Sequence, residues 1–307
     1  MRVVNLHELP KLRDSLSYIY IEHATVERKD SGIQCASKEG LIQIPAAVLS
    51  VLILGPGTSI THAAVKTLAD NGVSVLWTGE EITRFYAFGI GETRKAHYLI
   101  RQAELVSDPQ KREQVVLRMY RFRFQEELPL GLSLPQIRGL EGVRVRSTYQ
   151  KTAEQFGLEW HGRHYQRDNW QAADAPNRAL SAGNALLNAL CHSAILAGGY
   201  SPALGFIHTG KQLSFVYDIA DLYKTDLVVP IAFEMAARFP DKPEPHVRAA
   251  LREKIRETKL LQRILPDIDA LLQIEAEPPI EAAIPDDLET DPALPVDLWQ
   301  PLMGEEV

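Results

Sequence analysis

The sequence predicts an α+β protein in two domains. A small β-rich, sandwich-like N-terminal domain spans residues 1–90, and a larger all-α domain spans 91–276. Three patterns carry this reading. Short runs of Ile, Val, Leu and Tyr, broken by Gly, Asp and Pro turns, fill the first part. Capping motifs that open long helical stretches fill the second. A change of charge near the end marks off an acidic, proline-rich tail, residues 277–307, expected to be disordered.

YIYIEH (Tyr18–His23), the stretch Ile33–Ala36, LIQIP (Leu41–Pro45) and VLSVLIL (Val48–Leu54) read as strands, separated by Asp-Ser-Gly, Lys-Glu-Gly and Gly-Pro-Gly turns. A helix over about Thr61–Asn71 ends at Gly72, the residue type that most easily takes the left-handed turn closing a helix. VSVLW (Val73–Trp77) and TRFYAF (Thr83–Phe88) add strands, and GIGE (Gly89–Glu92) reads as the hinge. Ser107-Asp-Pro-Gln110 and Ser133-Leu-Pro-Gln136 are then capping boxes with proline in the first turn, the second opening the helix that carries Glu141. Asp174-Ala-Pro176 opens a long helix running towards Gly198-Gly199. Further helices start near Ser214 and His246, and the helical pattern continues to about Leu272.

At 307 residues, 45% hydrophobic and 24% charged, the composition is that of an ordinary globular protein. No uninterrupted apolar run reaches membrane length and no N-terminal signal pattern is present, so a cytoplasmic protein without a membrane partner is expected. Cys35 and Cys191 lack a CxxC partner and read as small buried hydrophobes. The net charge of −7 is unevenly spread: residues 264–307 hold 12 of the 40 acidic residues, seven of the 19 prolines and no Lys or Arg. That leaves 33 basic against 28 acidic residues over 1–263, a mildly basic body that permits a nucleic-acid partner. The tail reads either as a solubilising terminus or, through Ile284, Leu288, Leu294, Leu298 and Trp299, as a docking segment.

Chemistry concentrates in GFIHTGKQLSFVYDIADLYK, Gly205–Lys224. Asp218 and Asp221 stand three apart on a helix and so share a face, where like charges repel; a bound cation would relieve the repulsion. Taken alone, each reads as a solvated carboxylate, and His208 as a capping or core histidine. Glu141 reads alone as an exposed ion pair with Arg138 or Arg144. The flanking Gly139 and Gly142 each cost the helix about 1 kcal/mol, which points to a backbone or ligand approaching closely there. Taken together, a Glu, a His and two Asp suit Mg²⁺ or Mn²⁺ better than structural zinc, with imidazole favouring Mn²⁺. Ser181 and Asn184, on one side of a helix, are candidates to support that site, whereas Asn188 reads as part of a helix-packing face. Eight Lys or Arg against three Asp or Glu lie between Arg94 and Arg123; Lys111, Arg118 and Arg121 on one face read as a track for DNA phosphates or as an ordinary charged face. Lys66, Arg84, Arg138, Lys211, Lys224 and Arg248 are further candidate phosphate contacts. Gly55–Thr58 lacks the pattern of a phosphate-binding loop.

RGLEGVRVRSTY, NRALSAGNALL and GFIHTGKQLSFVYDIADLYKTD are similar, in order and spacing, to the core motifs of the CRISPR-associated integrase of spacer acquisition; Tyr223–Asp226 and the tail after Pro278 most resemble its type I-E branch. The resemblance covers nearly the whole chain up to the tail. It implies a homodimer that assembles with a small ferredoxin-like partner subunit. It implies metal ligation by Glu141, His208 and Asp221, with Asp218 as a further acidic position, and DNA binding at Arg84 and Arg248. The position matching a tyrosine wedge that splays duplex ends is His23, Ser59 stands where relatives place a basic residue, and Asn188 stands where relatives can have Tyr.

The activity implied is metal-assisted transesterification, in which the 3′-hydroxyl of captured DNA attacks a phosphodiester of the repeat at the leader end of a CRISPR array. Water in place of the hydroxyl gives endonuclease activity from the same site. Two alternatives are a stand-alone metal nuclease acting on branched or single-stranded DNA, and a non-catalytic DNA-binding scaffold.

Overall fold

The computed structural model describes residues 18–80, 85–89, 96–124, 132–163 and 173–274. Arg84, most of the expected hinge and the acidic tail lie outside the described residues.

The strand-rich part contains β1 (Tyr18–Ile21), β2 (Thr25–Lys29), β3 (Gly32–Ser37), β4 (Gly40–Pro45), β5 (Val51–Leu54), β6 (Ser59–Ile60), β7 (Ser74–Thr78) and β8 (Phe85–Gly89), with α1 (His62–Asp70) between β6 and β7. These strands form two four-stranded sheets, ordered β1-β5-β7-β8 and β4-β3-β2-β6. In the first sheet β1, β5 and β7 are parallel, and β8 closes it antiparallel. All four residues of β5 are buried, as a parallel strand covered on both faces requires. Val26, Ile33, Cys35 and Ile44 of one sheet meet Leu52, Leu54 and Val75 of the other, with Ala64 and Leu68 of α1 in the same core. The sandwich-like expectation therefore holds, with α1 as an added element of the core. β2, TVERK, went unread in the sequence because only Val26 of its five residues is buried. Its place is set by partners, β3 in antiparallel register (Val26 opposite Cys35) and β6 in parallel.

The helices are α2 (His97–Ser107), α3 (Pro109–Phe124), α4 (Leu134–Gln155), α5 (Ala175–Ala197), α6 (Ser214–Ala220), α7 (Val229–Arg238), α8 (Pro243–Glu257) and α9 (Leu260–Leu272), with a π-helical turn at Lys224–Val228. Two of the expected caps are formed. Gln136 accepts the Ser133 N–H at 2.8 Å, and Asp174 accepts the Asn177 N–H at 2.8 Å. The third is shifted by one residue. α2 runs through Ser107, and Asp108 caps α3 by accepting the N–H groups of Gln110 (2.9 Å) and Lys111 (3.1 Å).

α5 is the central helix, packed against α6, α7, α8, α9 and β7. By length and composition it could cross a membrane, with a mean hydropathy of 1.3, yet 78% of that stretch is buried inside the fold. Its small residues allow the close approach: a Cβ at Gly183 would stand 2.6 Å from Val228 Cγ1. Cys191 lies on this helix, and burial pushes its thiol, like that of Cys35, above the ordinary cysteine range. Phe85 and Phe88 of β8 pack on His192 of α5, with ring centroids 4.2 and 6.0 Å away. The described residues up to Gln273 thus belong to one compact unit.

Candidate active site

The segment leading into α6 is shaped around one carboxylate. Asp218 is fully buried. Its oxygens accept the backbone N–H groups of Phe206 (2.6 Å), Ile207 (3.0 Å) and His208 (2.9 Å), and its Oδ1 lies 2.7 Å from His208 Nδ1. Gly205 permits the tight path, since a Cβ there would stand 2.7 Å from that of Ser214. The other side of the segment is tied to the preceding helices. Arg112 donates twice to the Phe206 carbonyl (2.9 and 2.7 Å). Fully buried Gln102 donates to the carbonyls of Ser201 and Leu204 and accepts the Ser201 N–H.

This geometry corrects the reading of the two aspartates as a pair on one face. Asp218 is inside α6 and faces the loop. Asp221 is the residue that ends the helix and is 28% exposed at its side chain. The solvated reading fails for Asp218, whose charge is met by N–H groups and an imidazole. The hydrogen bond with Asp218 raises the His208 pKa and outweighs the opposing effect of burial.

Glu141, on α4, pairs with neither Arg138 nor Arg144. Its partner is Arg123 of α3, whose Nη1 bonds Glu141 Oε1 and whose Nη2 lies 3.5 Å from Asp221 Oδ2. Arg144 donates to the Arg123 backbone carbonyl, and Arg138 is exposed. Among the described residues no backbone approaches the helix glycines: nothing lies within 4 Å of a Cβ at Gly139, and at Gly142 the Arg146 guanidinium lies at 3.6 Å.

His208 and Asp221 open onto a cavity of about 260 Å³ that Asn184, Asn188, Tyr217 and Lys224 also line. Lys224 Nζ is 3.7 Å from Asp221 Oδ1. Asn184 lines the cavity, with a buried Oδ1 that has no hydrogen-bond partner among the described residues. Asn188 was read as packing and instead faces the cavity. Ser181 is committed elsewhere, donating to the Asn177 carbonyl (2.8 Å) and accepting from Arg163 (2.6 Å). Arg123 and Asn188 were missed in the sequence, and the charge imbalance around α3 was the only signal for the former.

The candidate phosphate contacts divide. Lys66, Arg138, Lys211 and His23 are exposed, His23 with a positive φ of 51° and its N–H on the Pro56 carbonyl. Arg248 is buried, within electrostatic reach of Glu80, Tyr20 and Arg252, so the expected DNA contact does not lie at the surface. The basic face of α3 is largely used internally: Lys111 pairs with Glu104, and Arg118 donates to the Leu271 carbonyl at the end of α9.

The donor types of Glu141, His208 and Asp221 fit a hard divalent cation, and both carboxylates already turn to a shared cation, the Arg123 guanidinium. In this arrangement no group of three or more His, Cys, Asp or Glu among the described residues is placed to hold a metal ion.

Residues 17–128 and 118–244 match the family model for CRISPR associated protein Cas1. The CRISPR-associated endonuclease Cas1 2 of Thermus thermophilus is 54% identical over 98% of this chain and 91% of its own length. The CRISPR-associated endonuclease Cas1 of Escherichia coli K12 is 41% identical over 89% and 90%, respectively. A crystal structure of a TtCas1–DNA complex superposes with a TM-score of 0.74 at 55% identity, covering 87% of this chain and all of that one. With a strand-rich start, a helical remainder and these matches over nearly its whole length, this chain belongs to the CRISPR-associated Cas1 family.

Proposed function

We propose that this protein is a metal-dependent DNA endonuclease and integrase of CRISPR adaptation, acting in the cytoplasm. It joins the 3′-hydroxyl ends of captured DNA to the repeat at the leader end of an array by transesterification. One observation carries the chemistry: Glu141 and Asp221, 80 positions apart in the chain, are drawn to a single cation beside His208. Glu141, His208 and Asp221 would hold Mg²⁺ or Mn²⁺. Such an ion, when bound, supplies Lewis acidity to a phosphate oxygen and stabilises the charge of in-line displacement.

The chain's own groups supply the rest. Asp218 fixes the His208 ring through Nδ1, which leaves Nε2 as the donor. Lys224 at the cavity and exposed Lys211 attract the phosphodiester by charge. Asn184 offers a buried amide oxygen to a donor entering the cavity. Exposed Lys66, Arg138 and His23 extend the contact along the duplex; the similar protein TtCas1 has been crystallised with DNA. The working assembly is a homodimer with a small ferredoxin-like subunit.

The test combines the protein, that subunit, a short duplex and a supercoiled plasmid bearing the repeat, with Mn²⁺ or Mg²⁺. Joined product is expected from the parent and none from His208→Ala. Failure of the parent to join, or joining by His208→Ala at the parent's rate, overturns the proposal.

A further inference from the structure

Arg123 is the buried cation of the site. Its side chain is only 7% exposed, yet among the described residues Nε and Nη2 have no hydrogen-bond partner. Nη1 holds Glu141, while Nη2 faces Asp221 at 3.5 Å, an electrostatic contact without a bond. A guanidinium has five N–H donors, and leaving most of them unmet out of water is costly. A group placed only for packing or stability would be better satisfied. Its main chain is anchored, because Arg144 donates to its carbonyl, but the long side chain can rotate about several bonds.

Arg123 stands between two of the three proposed ligands. Its position between the carboxylates matters most. Metal ligands lie at roughly 2.0–2.6 Å from the ion, whereas a guanidinium holds carboxylates at hydrogen-bonding distance across its own width. The two arrangements exclude each other, and without any cation Glu141 and Asp221 would face each other as like charges.

We propose that Arg123 is a built-in counter-cation that holds Glu141 and Asp221 until a divalent ion displaces its guanidinium. Metal binding is then an exchange, and Arg123 is a positioning residue that sets the ion concentration at which the site loads. This rests on the divalent-cation site proposed above.

Manganese binding to the full chain, followed by calorimetry and by electron paramagnetic resonance of free Mn²⁺, tests it, with thermal midpoints in EDTA and in saturating Mn²⁺. Arg123→Gln is expected to bind Mn²⁺ at least about tenfold more tightly than the parent, because the competing charge is gone. Its midpoint is expected to fall below the parent's in EDTA and to close on it in Mn²⁺. Arg123→Lys, which keeps the charge but cannot span both carboxylates, is expected between the two and serves if the Gln variant does not fold. Equal or weaker binding by the variants, or a thermal deficit that persists undiminished in Mn²⁺, overturns the exchange while leaving the metal site standing. Absence of binding in the parent, Glu141→Gln and Arg123→Gln alike overturns both.

Discussion

The strand-rich region and the helical region bury different things. Among the described residues between β1 and β8 the buried polar side chains are Ser74 and Thr78, small groups beside paired strands. Between α2 and α9 the fold buries Arg123, His192, Asp218 and Arg248, all of them ionisable. Burying a charge is tolerated only when it is met by partners or serves a purpose, because the loss of hydration is large. The first region is therefore built for shape, through an apolar core shared by two sheets and α1. The second gives up part of its stability to hold charges in place, and the candidate site lies among them.

The strongest way to break this contrast is at Asp218. Asp218→Ala removes the acceptor for three backbone N–H groups and for His208 at once. A loss of about 3–5 kcal/mol in urea unfolding is expected, together with loss of joining activity. A loss below 1 kcal/mol would show that the carboxylate is not the centre of that segment.

His192 probes the same cost through pH. Burial pushes its imidazole down to about 4 from the ordinary 6.5. The unfolded chain therefore binds a proton that the folded chain does not, and folding stability falls as the pH drops from 6.5 towards 4. The loss from this residue levels off below that, at roughly 3–4 kcal/mol. Urea midpoints measured across this window should fall less steeply in His192→Leu than in the parent. Parallel curves would place the acid sensitivity elsewhere.

The smallest effect belongs to the strand-rich side. Thr61 caps α1 through a single 3.3 Å bond from the Ala64 N–H. Thr61→Ala should cost about 1 kcal/mol in the same assay and leave Mn²⁺ binding unchanged. A change in Mn²⁺ binding would show that the two regions are energetically coupled at the site.

Legibility in the sequence followed the reach of each signal. The Ser133 and Asp174 caps and the turn at Gly72 act within about four residues, and each was readable. A local motif still left room for error at α3, where Ser107 and Asp108 are both good caps and only the end of α2 decides between them. β2 was hidden because its composition is polar and its strand state comes from β3 and β6.

The residue sequence alone settled the α+β order, and through three separated motifs it singled out Glu141, His208 and Asp221. Only the tertiary structure decided how those residues are used. It turned Asp218 inward to organise a loop, buried Arg248, brought Asn188 to the cavity and set Arg123 between two carboxylates. The bond from Arg123 to Glu141 spans 18 positions and that from Arg112 to the Phe206 carbonyl spans 94. Helix periodicity says which face of a helix is apolar, but not which charged residue of another helix will stand opposite it. That choice is made by the packing of α3, α4 and α6 around the shared core, where each buried charge must find its counterpart or go without.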